Sequence, residues 1–206
     1  MLLSNINKRI ILASASPRRR ELLSSIIEDF DIITVDVDER SEEIRMEDEG
    51  VPALKVSEGL ARLKAQAVFD QLEESEKANS IVIGADTSVI LDDIIFGKPK
   101  DHEDAVRMLS QLSGNTHVVA TGVAIMSGSE VKLFTEETRV EFNPLDDCQK
   151  AVITDYCNSG SPYDKAGGYG IQDEGALLVK CINGDYANVV GLPVARLARE
   201  LYIMVK

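Results

Sequence analysis

Three kinds of side chain in this sequence are spaced for chemistry on an anion. The first is a run of cations at a strand-to-helix turn: Ser14 and Ser16, then Arg18, Arg19 and Arg20, in ILASASPRRRELL. Ser16-Pro17 reads as an N-cap followed by proline at the first helical position. Cations there are disfavoured by about 0.3–1 kcal/mol each, because a helix N-terminus carries partial positive charge. The arrangement makes sense when phosphate fills the turn, since free N–H groups and guanidinium forks both suit its oxygens. Without an anion, the same run reads as a solvated basic patch.

The second kind is acidic. Asp36, Asp38, Glu39, Glu42 and Glu43 share one stretch, and Asp86 follows the apolar run SIVIGAD. Strand ends are where α/β proteins place their sites. A carboxylate there can hold a hard cation or polarise water. Asp86 also reads as a turn residue, and Glu42 and Glu43 as a solvated loop. The third kind is lysine: Lys64, Lys98 in GKP and Lys165 in DKAGGYG, each of which alone reads as a surface lysine. The glycine-rich stretch 166–170 lacks the GK[ST] ending of a Walker A loop. It suits a backbone approaching a ligand or a plain flexible loop. There is no Gly-x-Ser-x-Gly elbow, and neither His102 nor His117 accompanies a nucleophile, so both histidines read as structural. Serine- or cysteine-nucleophile hydrolysis is poorly supported. What remains is oxygen-ligand metal chemistry on a phosphorylated substrate.

These residues need a scaffold, and the composition bounds it. The chain has 206 residues and a net charge of −13. That length suits one domain over 1–206, with room for two lobes. The acidity argues against a nucleic-acid partner. No run approaches the roughly 18 apolar residues of a membrane span, and the N-terminus lacks a signal-peptide layout. Cys148, Cys157 and Cys181 lack CxxC spacing and make no recognisable zinc site with two histidines. They read as small buried thiols in a reducing cytoplasm.

The pattern predicts a buried strand over 9–13, a helix over 17–27 and a second, alternating strand over 30–37. Residues 38–50 read as an acidic mobile loop. A helix over 53–72 carries Val56, Leu60, Leu63, Ala67 and Val68 as its stripe. SIVIGAD is a buried strand, and TSVILDDIIFGKP a hairpin turning at Asp92-Asp93. Asp101 caps a helix to Leu112, with Gly114 as its stop. HVVATGVAIM and VKLFTEETRVEF flank a turn at Ser127-Gly128. Residues 145–157 read as a helix and 158–175 as a glycine-rich loop. Asn183-Gly184 reads as a hairpin turn, and Pro193 opens the last helix. Hairpins mixed with helices argue for a mixed sheet.

LASASPRRRELL, GADTSVIL, GKP, LSGNTHVVATGVAI, DKAGGYGIQ and INGDYANVVGLP, in that order, resemble the Maf-type nucleoside triphosphate pyrophosphatases nearly end to end. The SPRR form and the DKAG–YGIQ segment resemble the branch acting on dTTP and UTP. The resemblance implies an α/β fold of the inosine-triphosphatase-like (Maf/Ham1) type: an elongated mixed sheet flanked by helices, with a central cleft. It also implies hydrolysis to monophosphate and pyrophosphate with a divalent metal, Mg or Mn, in the cytoplasm, and dimers are common in that family. By motif, Asp86 matches the family's proton acceptor. Arg18, Thr87 and Gln172 match positions linked to base choice, and Ser14, Arg19, Glu39, Lys64 and Lys98 match polar cleft residues. Glu39, with Asp86, is the candidate metal ligand. The amide of Gln172 can both donate and accept, which suits a uracil-type base. The chain departs from the family at Asp173, where glycine is usual, at Gly168, where alanine is commoner and glycine should loosen the loop, and at Ser88, which replaces an apolar residue. Two other readings stay open: a pyrophosphatase clearing another modified nucleotide, and a non-catalytic nucleotide-binding regulator of cell division.

Overall fold

A computed structural model describes residues 6–172 and 174–205. Strand β1 (Arg9–Leu12) pairs in parallel with β2 (Asp31–Ile32) and with β3 (Ser80–Leu91). Between β1 and β3 lie α1 (Pro17–Ser24), α2 (Glu39–Asp48), α3 (Ala53–Asp70) and α4 (Glu74–Asn79). Strand β3 turns through Asp92 and Asp93, both at positive φ (50° and 62°), into antiparallel β4 (Ile94–Phe96). Two left-handed residues in succession are what a tight hairpin requires. Helix α5 (His102–Leu112) is capped by Asp101, whose side chain accepts from the Asp104 N–H. Then come β5 (Thr116–Ser127), β6 (Glu130–Phe142), α6 (Asp147–Asn158), short 3-10 turns, β7 (Val179–Asn183), α7 (Tyr186–Val190) and α8 (Val194–Met204). The strand order is β2-β1-β3-β5-β6-β7, with β4 paired to β3. The expected mixed sheet flanked by helices is therefore observed. No helix among the described residues is long and apolar enough to cross a membrane.

The chain divides into two compact units. The first comprises the chain up to Asp86, Thr121–Glu136 and the chain from Gly191. Its strands are apolar on both faces, as strands covered on both sides must be. Leu12, Ile81, Ile83, Val123 and Ile125 pack with Leu23 of α1 and with Leu197 and Leu201 of α8. Ile11, Val82 and Ala124 point the other way, onto Ala61, Ala65 and Val68 of α3. The second unit, Thr87–Ala120 and Glu137–Val190, has its own core, in which Leu109 and Leu112 of α5 and Ile153 and Tyr156 of α6 pack on Val119, Val140 and Phe142.

Several expectations fail for physical reasons. The strand over 30–37 shortens to two residues, because its partner β1 ends at Leu12, whose carbonyl takes the last bond of the ladder, from the Ile33 N–H (3.2 Å). The loop over 38–50 is largely helix α2; Asp38 caps it, its carboxylate accepting from Ser41 N–H (2.9 Å) and Ser41 Oγ–H (2.7 Å). The stretch from SIVIGAD onward is one continuous strand to Leu91, not two. Asn183-Gly184 makes no hairpin: β7 ends there and α7 follows. Of the three thiols only Cys157 is buried, while Cys148 and Cys181 are exposed. In the α3 stripe Val56, Leu60 and Val68 are buried, but Ala61 and Ala65 take the inner positions expected of Leu63 and Ala67.

Candidate active site

The first unit gathers six of the sequence-predicted residues around one tight approach of α3 to β3. A Cβ on Gly84 would lie 2.3 Å from the Ala61 carbonyl oxygen and 2.9 Å from Ala65. Only glycine there, facing alanines, lets strand and helix lie so close. Two residues beyond Gly84 stands Asp86, and one before Ala65 stands Lys64. Their side chains meet: Lys64 Nζ is 2.6 Å from Asp86 Oδ1. The same ammonium is 2.8 Å from Glu39 Oε2. The Asp38 cap places Glu39 at the first residue of α2. Lys64 and Asp86 are 17% and 14% exposed, Glu39 46%, so the Lys64–Asp86 pair is the more shielded from water.

The β1–α1 turn supplies the cations. Ser16 caps α1, its Oγ accepting from the Arg19 N–H (3.4 Å). Buried Ser14 accepts from the Ser16 N–H and from the Arg19 guanidinium, both at 3.3 Å. Arg19 Nε donates to the Gly191 carbonyl (2.9 Å), which fixes the guanidinium's plane. Burial lowers the pKa of Arg19; Asp86 and Glu39 oppose that effect and Arg18 adds to it. Arginine stays charged regardless, so this balance marks a desolvated cation that feels both carboxylates. Arg18 and Arg19 are half-buried, and Arg20 is exposed. Three cations (Arg18, Arg19, Lys64) thus accompany two carboxylates in a strongly acidic protein.

The second unit holds the other three. Thr87 follows Asp86 in β3 and is half-buried. Lys98 is exposed in the segment between β4 and α5, and Gln172 is exposed in a turn after Gly170. Their segments are packed together. The Gly167 N–H donates to the Gly97 carbonyl (3.0 Å), beside Lys98. A Cβ on Gly167 would sit 2.8 Å from Val89, two residues after Thr87. The glycines here serve this internal approach. Gly168 has φ +71°, a conformation glycine adopts without strain, so it suits the loop rather than loosening it. Lys165 is no surface lysine: it is buried and donates to the Ser161 carbonyl and to Asp164, each at 2.6 Å. Ser88 is buried in β3, and Asp173 lies outside the described residues.

His117 has the structural setting expected of it. It is buried, with Nε2 2.8 Å from the Tyr169 hydroxyl, and burial lowers its pKa to about 4. His102 is exposed at the start of α5.

Residues 9–204 match a family model described as Maf-like protein. The chain belongs to the Maf-like family. Its relatives include a protein of Thermosipho africanus, 47% identical over 188 residues (91% of this chain, 89% of the relative). Another, from a Geobacillus species, is 47% identical over 194 residues (94% and 97%). A third, from Clostridium botulinum, is 46% identical over 200 residues (96% and 97%). All three carry the name dTTP/UTP pyrophosphatase.

In this Maf-like chain, Glu39 and Asp86 both reach the single ammonium of Lys64, at 2.8 and 2.6 Å, which makes them the pair of carboxylates available to a metal cation. No group of three or more histidine, cysteine or acidic residues that could hold a metal occurs among the described residues. Two carboxylates with the remaining positions left to phosphate and water suit magnesium, which is seldom caged by protein alone. The sequence reading missed the helix carrying Glu39. Its signals were polar: the Asp38 cap, acidic residues in the first turn and Arg45 paired with Glu42 and Glu49. With Met46 its only buried side chain, α2 has almost no apolar stripe to reveal it.

Proposed function

We propose that this protein is a nucleoside triphosphate pyrophosphatase of the cytoplasm that hydrolyses dTTP and UTP to the monophosphate and pyrophosphate. The observation that carries the reading is the Lys64 ammonium held between Asp86 and Glu39, alongside the desolvated Arg19. The names of the relatives supply the substrate class.

A triphosphate brings about four negative charges, which positive residues and a metal must offset. Arg18 and Arg19 bind phosphate oxygens at the β1–α1 turn, where Ser14 and the Gly191 carbonyl already orient Arg19. Asp86 positions the attacking water at the α-phosphorus and accepts its proton. Lys64, next to Asp86, and Lys98 stabilise the charge on the departing pyrophosphate. Glu39 and Asp86 would hold the divalent cation, Mg or Mn, which when bound neutralises phosphate charge and polarises the phosphoryl oxygens. Thr87 and Gln172 face the base. The Gln172 amide pairs with a carbonyl and the adjacent ring N–H of uracil or thymine; cytosine would leave a polar group unpaired.

The test is pyrophosphate release from UTP, dTTP, CTP, GTP, ATP, ITP and a methylated triphosphate, each with magnesium, with manganese and with neither. Release confined to UTP and dTTP and dependent on metal is the expected result. Binding without release would identify a non-catalytic regulator. Faster release from a modified nucleotide would identify a different substrate.

A further inference from the structure

We infer that His117 and Tyr156 are positioning residues for base recognition: they hold the Tyr169-Gly170 dipeptide and so fix where Gln172 presents its amide. The inference rests on the proposed role of Gln172. His117, buried on β5, places Nε2 2.8 Å from the Tyr169 hydroxyl. Tyr156, buried on α6, accepts the Gly170 N–H at 3.0 Å. Phe142 stands edge-on to both rings, with centroids 4.9 Å from His117 and 4.8 Å from Tyr169, so neither ring can swing aside without displacing it. With the Gly167 N–H bound to the Gly97 carbonyl, three attachments fall within residues 167–170, and Gln172 comes one residue after the last neighbour of this anchored stretch.

The chemistry of His117 points the same way. Its Nδ1 is buried with no hydrogen-bond partner, and leaving such an atom unsatisfied is unfavourable. A leucine or phenylalanine would fill the space without that penalty. What the imidazole alone supplies is the Nε2 contact to Tyr169. The neutral ring, kept so by burial, does not titrate near neutral pH, so the contact is the same across the working range of a cytoplasmic enzyme.

The experiment compares kcat and KM for UTP and CTP in the full chain. The variants are Tyr156→Phe, His117→Leu and His117→Gln, each alone and combined with Gln172→Ala, with thermal unfolding recorded for each. Tyr156→Phe and His117→Leu should each reduce the UTP-over-CTP ratio of kcat/KM about 2- to 10-fold, the effect of one hydrogen bond, with the loss falling on KM. His117→Gln, whose amide nitrogen reaches the place of Nε2, should recover most of it. On top of Gln172→Ala, neither change should alter the ratio further, because coupled residues are not additive. A wild-type ratio in folded Tyr156→Phe and His117→Leu, or a full further loss in the Gln172→Ala background, overturns the inference while leaving Gln172 in place. An unaltered ratio in Gln172→Ala itself overturns the base-reading role and the inference with it. Tyr156→Phe removes a single oxygen and keeps the ring in the core, so it remains informative if His117→Leu does not fold.

Discussion

At the scale of single residues, similar side chains close in sequence have different environments. Arg19 is oriented by Ser14 and the Gly191 carbonyl and feels Asp86 and Glu39, whereas the next residue, Arg20, faces water. Arg19→Gln is expected to lower kcat/KM for UTP about 10- to 100-fold, the usual cost of losing charge-assisted hydrogen bonds of about 1.5–3 kcal/mol. Arg20→Gln should stay within about twofold of wild type, as surface charges usually do; steady-state kinetics on both variants checks the contrast. For Asp86→Asn, turnover should fall about 10²- to 10⁴-fold, the contribution of a positioned proton acceptor. The fold should persist, because Lys64 keeps Glu39 as a partner. Pyrophosphate release and circular dichroism on the same preparation separate lost chemistry from lost structure.

At the scale of elements, the site depends on how closely α3 lies on β3. Gly84, Ala61 and Ala65 set that distance, and Lys64 and Asp86 meet because of it. Gly84→Ala would drive a methyl into the Ala61 carbonyl, and relief requires α3 and β3 to part. The expected cost is about 1–3 kcal/mol of stability, typical of overpacking. Turnover should fall as well, since the separation pulls Lys64 from Asp86. A drop of several degrees in thermal midpoint alongside reduced kcat is the signature; an unchanged midpoint would mean that the strand and helix accommodate the methyl. The element least evident in the sequence is α2, which buries only Met46 and is defined by its cap and charge pairs.

At the scale of the whole molecule, two conditions should act differently. His117 has a folded-state pKa of about 4 against an ordinary value of 6.5, because burial disfavours its charged form. The unfolded chain therefore binds the proton more readily. The neutral ring's contribution is fully present above pH 6.5 and is lost as pH falls through the folded value. That amounts to about 3 kcal/mol across the window. Denaturant titrations at pH 7, 5.5 and 4 should show this slope in wild type and its reduction in His117→Gln. The carboxylates of Asp38, Glu42, Asp104 and Glu141, held low by their hydrogen bonds, add a loss at lower pH that both proteins share. Metal removal should behave otherwise. Because Lys64 and Arg19 together already offset the charges of Glu39 and Asp86, a chelator should abolish turnover and leave the thermal midpoint where it was. A marked fall in midpoint on chelation would show that the cation holds the fold together.

The α/β class, the capped helix after β1, the Asp92-Asp93 hairpin and the cationic turn at the start of that helix were legible along the chain. Those follow from local rules: apolar runs bury, Ser16-Pro17 starts a helix, and arginines at a helix N-terminus suit an anion. Motif order carried the family. Tertiary structure alone decided which of these charges meet. Lys64 and Asp86 are 22 residues apart, and nothing local to either says that a glycine and two alanines will bring them within 2.6 Å. Likewise His117 and Tyr169, 52 residues apart, are joined only when β5 and the glycine-rich loop pack in one core. Contacts between distant segments depend on the distances set by packing, and periodicity encodes which face is buried but not what that face will touch.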